Sequence, residues 1–120
     1  MEEKVDVQRL FREIVAEEEP NATFWYHAQS ESYVIDMPRK RKFHGSSITL
    51  KCDEKCIAEG DIVTDASVAE EVEKQISDIG CEVIEVHEHK LLIPEAHIHI
   101  ECWDMKEDNV KELLKLVRWF

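Results

Sequence analysis

Two short runs between Cys81 and Trp103 alternate apolar and polar residues, and this alternation limits the fold more tightly than any other feature of the chain. The first run reads C-E-V-I-E-V-H-E-H and the second A-H-I-H-I-E-C-W, joined by K-L-L-I-P-E. A period of two marks half-buried strands, with Ile84 and Val86 as the oily set of one and Ile98, Ile100 and Cys102 as that of the other. In an antiparallel hairpin both sets must face one core, so opposed residue numbers sum to an even value, as with 84 opposite 102 or 86 opposite 100. Glu85, His87 and His89 then share the opposite face with His97, His99 and Glu101.

The rest of the chain supplies layers for this hairpin. Residues 6 to 18 predict a helix with Asp6 as N-cap and Val7, Leu10, Phe11, Ile14 and Val15 as its apolar stripe. Residues 23 to 37 predict two strands turning near Ser30 to Ser32, and Phe24, Trp25 and Tyr26 put apolar bulk on both faces of the first. Gly45 opens a further strand, S-S-I-T-L-K-C, followed by a polar turn from Asp53 to Asp61. Ser67 and Glu70 have capping-box spacing before the stripe Val68, Val72, Ile76 and Ile79, and Gly80 is a left-handed stop. Asp104 and Glu107 repeat that spacing before Val110, Leu113, Leu114 and Val117, after which Trp119 and Phe120 are expected to pin the C-terminus. The order predicts a single α+β domain over residues 1–120: a two-layer sandwich, mostly antiparallel, with helices packed on one face and a strand-helix-strand unit inside.

The 120 residues suit one domain, and a formal net charge of -12 with a pI near 4.9 argues against nucleic acid or anionic membrane as partners. Arg39 to Lys42 form the one basic run, expected to be a solvated loop or an internal counter-charge. No run has the length of a signal-peptide core or a membrane span, so the expectation is a soluble, cytoplasmic protein. Reduced thiols follow from that location, and the C-x-x-x-C spacing of Cys52 and Cys56 is looser than that of common zinc and redox motifs.

The segment Glu95-Ala96-His97-Ile98-His99-Ile100-Glu101-Cys102-Trp103 resembles the motif of the small prokaryotic S-adenosylmethionine decarboxylases, which runs Glu-Ser-His, two residues, Ile-His-Thr-Trp. Glu95, His97, Ile100 and Trp103 match, and the order of elements is similar over residues 46 to 104. The resemblance implies a related fold and an altered small-molecule pocket. It does not imply pyruvoyl-dependent decarboxylation, because Ala96 stands where that family has the pyruvoyl-forming Ser. Glu101 replaces the His that assists processing, and the family's downstream Cys motif has no counterpart.

The chemistry that remains is the histidine face. Imidazoles at i and i+2 on two adjacent strands can reach one cation, so His87, His89, His97 and His99, completed or oriented by Glu85 and Glu101, are the expected ligands for Zn or another divalent transition metal. No nucleophile with an orienting acid stands nearby, so a non-catalytic role is expected, with no pyruvoyl group. The alternative is a homodimeric interaction protein, associating through the sheet or through the apolar tip Leu91 to Pro94.

Overall fold

The computed structural model describes residues 4–38, 45–89 and 94–119. A first α-helical turn, α1 (Val7–Leu10), is capped by Asp6, whose Oδ1 accepts from Arg9 N at 3.1 Å, and it runs directly into a π-helical segment, Phe11–Ala16. Then come β1 (Thr23–His27), β2 (Ser32–Asp36), β3 (Ser47–Cys52), β4 (Cys56–Asp65), α2 (Ala69–Ile79), β5 (Cys81–His89), β6 (Glu95–Met105) and α3 (Glu107–Trp119). The strands form one six-stranded antiparallel sheet in the order β1-β2-β3-β4-β6-β5. Both β4 and β5 run antiparallel to β6, so they are parallel to each other with β6 inserted between them, and α2 makes the crossover.

The α+β sandwich expected from the sequence is present, with one more strand. β4 falls largely where a polar turn was expected, because Glu59-Gly60-Asp61 has the composition of a turn while its neighbours alternate as a strand. Gly60 lies where the adjacent backbone comes closest: a Cβ there would stand 2.1 Å from the Ser47 carbonyl oxygen. A residue without a side chain is therefore what lets β3 and β4 pair.

One face of the sheet is covered. Ile35, Ile48, Leu50, Ala58, Ile62, Ile98, Ile100 and Cys102 point to it and form one cluster with Leu10, Phe11, Ile14 and Val15, with Val72 and Ile76 of α2, and with Val110, Leu113, Leu114 and Val117 of α3. Phe11, Phe24 and Tyr33 stack in succession at centroid distances of 4.9 and 5.2 Å, tying the first helix to the β1–β2 hairpin. Gly80, at φ 94°, ends α2 in the left-handed conformation, as expected. The caps differ from the sequence reading. Asp65, rather than Ser67, caps the turn that leads into α2, and Asp104 lies in β6 at φ 52°. Asn109 takes the capping role at α3: its Oδ1 accepts from Lys106 N, and its Nδ2 donates to the Ile79 carbonyl, joining the start of α3 to the end of α2.

Ile84 and Val86, expected to be buried opposite 102 and 100, are 46% and 36% exposed. The register runs Cys81 opposite Cys102 and Val83 opposite Ile100, then shifts at a bulge so that Val86 lies opposite Ile98. Ile84 is the extra residue of that bulge, and β5 is the sheet's edge, where cover is thinnest. The four cysteines are not reduced thiols: Cys52 is bonded to Cys56 and Cys81 to Cys102. No described helix is long and apolar enough to cross a membrane. The basic run Arg39 to Lys42, the tip residues 91–93, and the side chain of Trp119 together with Phe120 lie outside the described residues.

Candidate metal centre on the open sheet face

The face opposite the helices is where the histidines lie. In β6, Ile98, Ile100 and Cys102 face the helices and are buried, so His97, His99 and Glu101 take the other side. In β5 the pairs Glu85 with His99, His87 with His97 and His89 with Glu95 put Glu85, His87 and His89 on that side too. The bulge at Ile84 makes this possible while Cys81 and Val83 stay with the core.

Sharing a face does not bring the four imidazoles to one point. Each takes a different neighbour. His87 Nε2 lies 3.0 Å from Glu85 Oε1, and His97 Nε2 lies 2.7 Å from Oε1 of Glu95, a fully buried carboxylate. The His89 and His97 rings meet at 4.5 Å, tilted by 56°. His99 Nδ1 lies 3.1 Å from Asp61 Oδ1, across the β4–β6 pairing.

Among the described residues, the group of three whose ligand atoms converge is Glu59, His99 and Glu101, all within 4.8 Å of one another. Two of the six residues singled out in the sequence, His99 and Glu101, belong to it, and β4 contributes the third. Glu59 lies directly opposite Glu101 and two residues from Asp61, which lies opposite His99. Glu59 and Asp61 are not legible as site residues from sequence alone, because Glu59-Gly60-Asp61 has the composition of a turn. The signal was present in the alternation of C-I-A-E-G-D-I-V-T, which sets Glu59 and Asp61 at i and i+2 like His99 and Glu101.

The donor set is two carboxylate oxygens and one imidazole nitrogen. When His99 donates Nδ1–H to Asp61, the lone pair sits on Nε2 rather than on the nitrogen held by the carboxylate. Three protein ligands would leave a bound cation with coordination positions for water or a small molecule, unlike a closed structural zinc shell. Glu59 and Glu101 also line a cleft of about 230 Å³ whose other side chains include Thr49, Lys51, Ile57 and Trp103. At the far end of β4, the Asp65 carboxylate accepts from Ser67 N at 2.9 Å and from Ser67 Oγ at 2.8 Å. Those two bonds, the backbone one first, hold its carboxyl below the usual aspartate range.

Comparison with protein-family models, with curated proteins and with solved structures returned no match. The resemblance around Glu95 to Trp103 to the S-adenosylmethionine decarboxylases therefore rests on the motif itself.

Proposed function

We propose that the protein binds a divalent transition metal through Glu59, His99 and Glu101 on the open face of its sheet. The observation that carries this reading is the convergence of three ligand atoms within 4.8 Å on two adjacent central strands. Rigid strands hold ligands more tightly than loops do, and Asp61 supplies the orienting carboxylate that metal-bound imidazoles ordinarily have. The mixed oxygen and nitrogen donors suit Zn, Mn, Fe, Co or Ni better than Ca or Cu(I). Protein produced without a His tag should hold one equivalent of Zn after equilibrium dialysis, and Glu59→Gln and His99→Ala should each abolish stoichiometric retention. Wild-type protein that retains no Zn would overturn the reading.

A second reading has its own support. Trp25, Ile57 and Trp103 are 43%, 48% and 51% exposed. All three project on the side of the sheet that carries no helix, an arrangement that suits self-association through that face. Sedimentation that remains monomeric at high concentration would remove it.

A further inference from the structure

We infer that the cleft beside Glu59 and Glu101 takes a small carboxylic acid bearing a ring or a branched apolar group, with its carboxylate set between the metal and Lys51. This rests on the metal reading for one of its two anchors. The volume of about 230 Å³ is below the roughly 300–1,000 Å³ of clefts that hold drug-sized ligands, so the occupant is the size of a small metabolite.

Two rows of side chains on adjacent strands set the chemistry. Thr49, Glu59 and Glu101 form one, since Thr49 lies opposite Glu59 and Glu59 opposite Glu101. Lys51 lies opposite Ile57 in the next row, diagonal to Glu59, and Trp103 follows Glu101 by two residues along β6. Ile57 and Trp103 are about half exposed and both line the cleft, which gives an apolar body a surface to rest on. Lys51 makes no ion pair among the described residues, although the chain carries a net charge of -12. An ammonium left without a carboxylate at the rim of a cleft favours an anionic ligand.

The two glutamates act in the opposite sense until a cation is bound. With no metal, Glu59 and Glu101 repel a carboxylate; a divalent cation held by them would cancel their two charges, leave Lys51 as the charged group of the cleft and offer the acid a coordination position. Binding of the acid and binding of the metal are therefore positively coupled, each strengthening the other by the same factor.

The probe is mandelate, which carries a ring, a carboxylate and an adjacent hydroxyl able to chelate. Zn retention by untagged protein is measured first, then mandelate binding by calorimetry and Trp fluorescence with and without Zn. The inference predicts mandelate binding to the Zn-loaded protein that is at least about tenfold weaker without Zn. It also predicts about tenfold weakening in Lys51→Gln and in Trp103→Leu, and no comparable binding of benzyl alcohol. Both substituted residues are exposed, so Zn retention by each variant serves as the check on its fold. Stoichiometric Zn without mandelate binding, or mandelate binding indifferent to both substitutions, overturns this inference and leaves the metal site standing. Failure to bind Zn overturns the metal site and this inference together.

Discussion

Asp61 and His99 face each other across β4 and β6, with Asp61 Oδ1 3.1 Å from the imidazole Nδ1. Their side chains are 54% and 36% exposed, so the pair adds little to stability, as exposed ion pairs generally do. Its effect falls instead on which ring nitrogen is free and where it points. Asp61→Asn should weaken Zn binding by about 10–100-fold with almost no change in Tm. A competition titration against a chromophoric chelator measures this, and an unchanged affinity would remove the orienting role of Asp61.

The two disulfides differ in what they restrain. Cys81–Cys102 spans 21 residues and ties the edge strand β5 to β6, whereas Cys52–Cys56 spans 4 residues within the β3–β4 turn. A longer closed loop removes more entropy from the unfolded chain, so the double variant Cys81→Ala, Cys102→Ala should lower the unfolding free energy by about 3 kcal/mol. Cys52→Ala, Cys56→Ala should lower it clearly less. Urea denaturation of the two variants decides, and the reverse order would contradict the assignment.

Asp65 gives the fold a defined acid response. Its folded-state carboxyl titrates below the ordinary aspartate value, because Ser67 donates to it from both its backbone N–H and its hydroxyl. With the folded value depressed, the stabilisation is fully present above the unfolded value of about 3.9 and is lost as pH falls through the folded one. NMR titration should place the Asp65 midpoint below that of exposed aspartates. Ser67→Ala should move it only part of the way back, since the backbone donor remains. A midpoint unmoved by Ser67→Ala would show that the hydroxyl contributes nothing.

The parts of this architecture that the sequence shows are those set by local periodicity. Val72 and Ile76 of α2, the stripe of α3, the stop at Gly80 and the side of β6 that carries His97, His99 and Glu101 are each specified within a few residues, whereas Val68, expected in the α2 stripe, precedes the helix and is 37% exposed. What the sequence hides depends on distant partners. Gly60 reads as a turn until β3 is seen to approach it within 2.1 Å of a Cβ's position. The extra residue at Ile84 cannot be found by alternation, because a bulge is the place where alternation breaks. Asp104 fits a capping box in spacing but sits at φ 52° inside β6. Half of the candidate site is hidden for the same reason, since Glu59 and Asp61 lie on a strand whose middle has the composition of a turn, and only the sheet order brings them against His99 and Glu101.

The central claim is that one histidine, with two glutamates, forms the metal site rather than four histidines sharing a face. Imidazole resonances followed by NMR while Zn is added to untagged protein test it most directly. The account predicts that the His99 ring signals shift in proportion to Zn and saturate at one equivalent, while those of His87, His89 and His97 stay in place. Shifts of His87, His89 and His97 together, with His99 unmoved, would contradict it.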